Sequence, residues 1–251
     1  MINFGRYIGL YAGYGAGALV WLIALRTMPS LWPSDQHSGI TFTKPWREVL
    51  WALLACLGVV AVGQAYQHGF RLPVHGSWGT LAESINQVMV FSPVVLLLAL
   101  RRQGLSTAWL PTKRIPERLA VGVAVSLAAL VAYCMVREQF GRFGVFLARI
   151  FAPGNADKAV QVFLEDLSIA VVMCRLTTAM KHPWRSAGLV GALFAAGHIP
   201  AMLSHGVAGG ELVGLVLDGL LGLFMVRILQ RAGDIWWFWC LHFMMDMTQF
   251  M

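Results

Sequence analysis

Charged side chains are scarce in this sequence. Only 12% of its 251 residues are Asp, Glu, Lys or Arg, whereas soluble domains carry about 25%. Apolar residues make up 58% of the chain, and the mean hydropathy is +0.66. This composition excludes an ordinary soluble domain and predicts a multi-pass membrane protein. The net charge is +7, and the basic residues lie between apolar runs, where they set the orientation of the chain in the bilayer. This charge therefore does not indicate nucleic-acid binding.

Cysteine is also rare, and the sequence lacks several motifs that carry chemistry. The four cysteines, Cys56, Cys134, Cys174 and Cys240, lie inside apolar runs without CxxC spacing, so we expect packing residues and not a disulfide framework or zinc site. HExxH, GxSxG and a glycine-rich phosphate loop are absent from the sequence. Their absence removes the motif support for a zincin, a serine hydrolase or a nucleotide-binding protein.

Long apolar segments predict an all-α, polytopic transmembrane helix bundle. A bilayer core requires about 20 residues per helix, and eight segments approach that length. They are residues 7–25, 47–66, 86–100, 117–136, 158–178, 187–205, 211–229 and 235–250.

The segments between these spans differ in character. Residues 28–46 and 67–85 predict loops, and residues 101–116 form a basic linker. Residues 137–157 alternate arginines with aromatic and aliphatic residues, which predicts a short amphipathic helix at the membrane interface, ended by Pro153-Gly154-Asn155. We expect one integral membrane domain, in which N-terminal helices over 1–157 support a helical core over 158–251.

The distribution of Lys and Arg predicts the orientation of the chain. If both ends of the chain face outward, thirteen of the 19 basic residues lie on the inner connections. The positive-inside rule assigns the side with more Lys and Arg to the cytoplasm, so this count favours an orientation with both ends outside. These thirteen are Arg26, Lys44, Arg47, Arg101, Arg102, Lys113, Arg114, Arg118, Arg175, Lys181, Arg185, Arg227 and Arg231.

Five ionisable residues interrupt the last apolar segments. Glu165 and Asp166 lie in the fifth span, His198 in the sixth, and His242 and Asp246 one helical turn apart in the eighth. With a rise of about 1.5 Å per residue, all five fall in one layer, roughly 6–16 Å below one membrane face. Ionisable groups at membrane depth are costly and commonly functional, so these residues predict a site in the last four helices.

The residue types leave several chemistries open. A single buried histidine or carboxylate more often pairs with a neighbouring helix, but groups at a common depth supply each other with partners. A carboxylate beside two imidazoles can activate water, hold an oxyanion and protonate a leaving group. The same ligands could bind a divalent metal or relay protons in a transporter.

The order of these residues resembles that of the CAAX-protease and bacteriocin-processing (CPBP) family of intramembrane glutamic endopeptidases. That family has a Glu-Glu-x-x-x-Arg motif, then Phe-x-x-x-His, then His-x-x-x-Asn or Asp, on separate helices. Phe194-x-x-x-His198 and His242-x-x-x-Asp246 match the second and third motifs, and the similarity covers about residues 160–250.

The first motif departs from the family pattern. Glu165-Asp166 takes the place of the paired glutamates, and Ala170 stands where the family has arginine. The next arginine, Arg175, points to a different helix face from position 170, so it is not a simple substitute.

The resemblance implies an intramembrane protease that cleaves a membrane-anchored peptide or protein, and from it we predict no cofactor and no obligatory metal. It implies that Glu165 activates water, Asp166 orients or tunes Glu165, and His198 holds the water or completes proton transfer. His242 and Asp246 would stabilise the oxyanion. The expected location is the bacterial plasma (inner) membrane, and the sequence does not determine the oligomeric state.

Two functions from other classes remain open at this point. The same scaffold could serve as a non-catalytic bacteriocin-immunity or membrane-partner protein. It could also be a proton-coupled transporter, in which the buried acids and histidines relay protons.

Overall fold

The computed structural model describes residues 4–32, 40–74, 76–205 and 209–248. Within these ranges the chain forms helices and turns without any strand, which confirms the predicted all-α class. The nine α-helices there are α1 (Phe4–Thr27), α2 (Pro45–Gln67), α3 (Gly79–Leu100), α4 (Ile115–Val136), α5 (Phe143–Ile150), α6 (Ala156–Met180), α7 (Pro183–His205), α8 (Gly209–Ala232) and α9 (Ile235–Met247).

Each predicted span corresponds to one of the helices, and α5 is the additional short one. Among the described residues, α1, α2, α3, α4 and α8 are long and apolar enough to cross a membrane. Helix α6 carries more charge, and α9 has only 13 residues, or about 20 Å. The chain is therefore a multi-pass helical membrane protein, while the total of eight spans and the division at residue 157 remain predictions.

Helix α3 begins earlier than the sequence predicts. The apolar run starts at residue 86, but the helix starts at Gly79 because its polar first turns find partners. The Ser84 hydroxyl donates to the Thr80 carbonyl at 2.8 Å, and the Asn86 side chain bonds both the N–H and the C=O of Leu72. The polar residues that predicted a loop therefore belong to the helix.

The predicted amphipathic segment is a helix, α5, whose Phe146 and Ile150 side chains are buried. Its exposed face includes Val145. Pro153–Asn155 then form a 3₁₀ turn that leads directly into α6, as the Pro-Gly-Asn sequence predicts.

Three connections meet at one end of the bundle, which we call the basic end. Arg114 donates to the Ser30 hydroxyl at 2.8 Å, which joins the α3–α4 connection to the α1–α2 connection. Arg118, in the first turn of α4, donates to the Leu31 carbonyl at 2.6 Å and pairs with Asp234, between α8 and α9, at 2.5 Å. Because these are the first, third and seventh connections between the long helices, an even number of helices separates any two of them, as expected when consecutive long helices run antiparallel.

Helix α6 lies at the centre of the bundle, where it packs against α2, α3, α7, α8 and α9. Helices α1, α4 and α9 form a second packed group. The contact between α4 and α9 depends on Gly122, because a Cβ there would lie 2.8 Å from the Trp237 Cα. Small residues permit such close helix approach in membranes, and here they hold α9 against α4.

Candidate functional site

Helices α6 and α9 are joined by a contact between Asp166 and His242. His242 Nδ1 lies 2.7 Å from Asp166 Oδ1, a distance typical of a charge-assisted hydrogen bond. The Asp166 side chain is 0% exposed and that of His242 is 15% exposed. A buried carboxylate therefore fixes one imidazole nitrogen and leaves the other, Nε2, for a further partner.

The position of each side chain follows from the helix that carries it. On α6, Asp166 shares the buried face with Leu167 and Ala170, so the carboxylate turns inward towards α9. Helix α9 starts at Asp234, whose carboxylate accepts a hydrogen bond from the Trp236 N–H at 2.9 Å and caps the first turn. This cap sets where His242 lies along α9.

Glu165, one residue before Asp166, is half-buried and belongs to the same cluster. Its Oε1 accepts a hydrogen bond from Gln161 Nε2 at 2.9 Å, one helical turn earlier. The charges of His242, Asp246 and Asp166 all lie close enough to act on it. Four of the five predicted site residues therefore lie near enough on α6 and α9 for their charges to interact, and Asp166 and His242 are in direct contact.

Asp246 lies one turn beyond His242 on α9 and is half-buried. Its charge acts on both Asp166 and His242. Three carboxyl groups, those of Glu165, Asp166 and Asp246, therefore act on a single imidazole, which is an arrangement suited to holding and moving protons.

One oxygen of the Asp166 carboxylate is buried without a partner in the part of the chain that the structure describes. Oδ1 bonds His242, whereas Oδ2 has no hydrogen bond there. A buried acceptor left unsatisfied is costly, and in native proteins such atoms concentrate where function requires them. Packing alone does not account for this carboxylate.

His198 lies in α7, but its side chain is outside the described residues, as is that of Phe194. The predicted role of His198 therefore remains a prediction.

Tyr14 of α1 is a neighbour of the cluster that the sequence did not indicate. Its side chain is 6% exposed, and the charges of Asp246 and Asp166 reach it. Gly13 permits this close approach of α1, because a Cβ at that position would lie only 2.5 Å from the Met245 side chain.

A stripe of tyrosines on α1 was the signal that could have identified Tyr14. Tyr7, Tyr11 and Tyr14 are spaced four and three residues apart and so share one helix face. The Tyr11 hydroxyl donates to the Leu217 carbonyl at 2.8 Å, and the Tyr7 hydroxyl lies 3.4 Å from Asp218 Oδ2, both on α8. The stripe is the polar contact between α1 and α8.

Arg175 lies away from the site, as its helix face predicts. Its guanidinium is fully buried, donates to Gln103 Oε1 and lies 3.2 Å from the Thr107 carbonyl. Gln103 in turn donates to Glu48, which pairs with Arg101 at 2.5 Å. Arg101 follows the last residue of α3, and its hydrogen bonds and ion pair with Glu48 raise its pKa. Arg175 therefore ties α6 to α2 and to the α3–α4 connection at the basic end.

Among the described side chains, no group of three or more His, Cys, Asp or Glu residues could hold a metal ion. All four cysteines are free thiols.

The C-terminal part of the chain matches one family model. Residues 158–248 match the family described as Rce1-like, type II CAAX prenyl endopeptidase. The matched segment contains all five predicted site residues and includes α7, α8 and α9 and nearly all of α6. No curated protein and no solved structure matches the chain.

Proposed function

We propose, from the match of residues 158–248 to the Rce1-like family of CAAX-type endopeptidases, that the chain is an intramembrane endopeptidase that uses Glu165 to activate water. Its substrate is a membrane-anchored peptide or protein. The observation that carries the proposal is the Asp166–His242 contact, because it fixes an imidazole beside Glu165 inside a membrane-embedded helix pair.

The first step assigns the base. Glu165 is half-buried and bonded through Oε1 to Gln161, which orients the carboxylate and leaves its other oxygen for a second partner. This second carboxylate oxygen accepts a proton from a water molecule. The oxygen of that water then bonds to the carbonyl carbon of the substrate. The carbonyl electrons move to its oxygen and form an oxyanion, and Glu165 carries the proton.

The second step assigns His242. Because Asp166 fixes Nδ1, the other ring nitrogen can donate a hydrogen bond to the oxyanion, where the negative charge develops. The oxyanion then collapses, the C–N bond breaks, and the leaving nitrogen receives the proton from Glu165. The products are a carboxylic acid and an amine, so the reaction consumes one water and no cofactor.

Asp166 has a different role in this proposal from the one that the resemblance implied. The sequence predicts that Asp166 tunes Glu165, but its hydrogen bond in the structure is to His242. We therefore make Asp166 the positioning residue of His242. Asp246 and His198 keep their predicted roles, in oxyanion stabilisation and in holding the water.

The substrate and the location are proposed at the level of class. Prenylated protein tails, peptide precursors such as bacteriocins, and C-terminal membrane anchors all present a peptide bond near the bilayer. We place the protein in the bacterial plasma membrane as a multi-pass protein, with the predicted inner face at the basic end.

The test uses the full chain in lipid nanodiscs with a panel of membrane-anchored peptides, and mass spectrometry identifies new termini. We expect Glu165→Gln to lower the cleavage rate by about 100-fold or more, the lower range for removal of a general base. Glu138→Gln, the same change at an exposed carboxylate, should leave the rate unchanged. Circular dichroism and the thermal midpoint report folding.

Three results would overturn the proposal. Cleavage by folded Glu165→Gln at the wild-type rate would remove the glutamate from the mechanism. A wild-type protein that yields no new terminus from any peptide would favour the non-catalytic alternative. Hydroxylamine intercepts acyl-enzymes, so hydroxamate products would replace attack by water with a covalent mechanism.

A further inference from the structure

A cavity of about 570 Å³ lies at the basic end, between the α3–α4 connection and the start of α4. Leu105, Trp109, Leu110 and Pro111 form an apolar part of its lining, and a second part is polar. The polar lining consists of Ser30, Ser106, Thr112, Lys113, Arg114 and Arg118.

We propose that this cavity binds the phosphodiester headgroup of an anionic membrane lipid, and that the bound lipid stabilises the first turn of α9.

The charges in and around the cavity favour a ligand with one negative charge. The three lining cations include Arg118, which pairs with Asp234 at 2.5 Å, and Arg114, which pairs with Glu117 at 3.1 Å. Three positive and two negative charges leave one positive charge, which we assign to Lys113. A phosphodiester carries one negative charge, and its oxygens accept hydrogen bonds from ammonium and hydroxyl groups.

The apolar lining favours a lipid over free phosphate. Leu105 is 45% exposed beside Trp109, Leu110 and Pro111 of the same cavity. An acyl chain would remove the exposed Leu105 side chain from water, which is favourable, whereas free phosphate would leave it exposed. Basic pockets between helix ends on the cytoplasmic side are a recurrent form of anionic-lipid site.

The loop that forms the cavity also holds α9. The Trp109 carbonyl accepts a hydrogen bond from the Ile235 N–H at 3.0 Å, and the Pro111 carbonyl accepts one from Trp236 Nε1 at 2.8 Å. Trp109 and Arg114 both have left-handed backbone, with φ of 49° and 56°. This conformation is uncommon for residues other than glycine. A ligand that fixes this loop therefore fixes the start of the helix that carries His242.

Lipid binding is tested on the purified full chain by native mass spectrometry and by its thermal midpoint, with phosphatidylglycerol and phosphatidylcholine compared. We expect phosphatidylglycerol to be retained and to raise the midpoint. Lys113→Gln should weaken the apparent affinity about fivefold, the effect of one surface cation on an anionic lipid. Lys181→Gln, an exposed lysine at the same end of the bundle, should keep the wild-type affinity.

The coupling to α9 is measured by hydrogen–deuterium exchange over residues 235–247. Phosphatidylglycerol should slow exchange there in the wild-type protein and in Lys181→Gln, but less in Lys113→Gln. Equal binding of both lipids, or equal loss in the two lysine variants, would overturn the site. An equal midpoint shift from inorganic phosphate would overturn the lipid as ligand, and unchanged exchange in α9 would overturn the coupling.

The binding and exchange measurements use no peptide substrate, so they can succeed or fail independently of the protease proposal. Only an effect of the lipid on peptide cleavage rests on the proposed function.

Discussion

Replacement of Asp166 by asparagine tests the site most directly. The change keeps the size of the side chain and removes its negative charge from the 2.7 Å contact with His242 Nδ1. A hydrogen bond to a charged group contributes about 1.5–3 kcal/mol. If that energy positions His242 in the transition state, its loss lowers the cleavage rate by about 10- to 150-fold.

The same substitution should leave stability unchanged or increase it. Asp166 is fully buried, and its Oδ2 has no partner in the described part of the chain. Burial of a carboxylate is costly, and an amide of the same volume relieves that cost while its carbonyl oxygen can still accept a hydrogen bond from His242. The expected result for Asp166→Asn is therefore slow cleavage together with a thermal midpoint at or above that of the wild type.

Cleavage rates and thermal midpoints, measured in the same nanodiscs, give both quantities. His242→Asn and the double variant complete a double-mutant cycle, in which Asp166→Asn should have little further effect once His242 is absent. Additive effects would refute the pairing. Equal losses of activity and stability in Asp166→Asn would assign the contact to packing.

Three further predictions concern the surroundings of the site. Tyr14→Phe removes a buried hydroxyl dipole near the charges of Asp166 and Asp246, and we expect about a fivefold lower cleavage rate at an unchanged midpoint, an effect comparable in size to one neutral hydrogen bond. Gly122→Val should destabilise the protein by about 1–3 kcal/mol through its clash with α9, whereas Gly15→Ala, with nothing within 4 Å of its Cβ, should not; thermal unfolding compares them. Arg175→Met should lower the midpoint through its lost hydrogen bonds to the α3–α4 connection, while the cleavage rate per folded molecule stays at the wild-type value. Loss of activity in folded Arg175→Met would contradict this prediction and show that the arginine contributes to catalysis.

The sequence by itself determined the class of fold and the helices that carry the site. An apolar run in a bilayer must satisfy its own backbone hydrogen bonds, so each long run became a helix. The start of α9 was also determined locally, because the Asp234 carboxylate caps a backbone N–H only two residues away. The motif spacing in residues 158–248 is also a local pattern, so the sequence alone was enough to indicate a similarity that the family match supports.

Only the tertiary structure decided which groups meet. Asp166 lies next to Glu165 in sequence but bonds His242, 76 residues away, because helix rotation turns adjacent side chains about 100° apart. Tyr14 reaches the acids because Gly13 lets α1 approach α9, and Arg175 finds Gln103 on a different part of the chain. These partners depend on how separate helices pack, and no local pattern of residues specifies that.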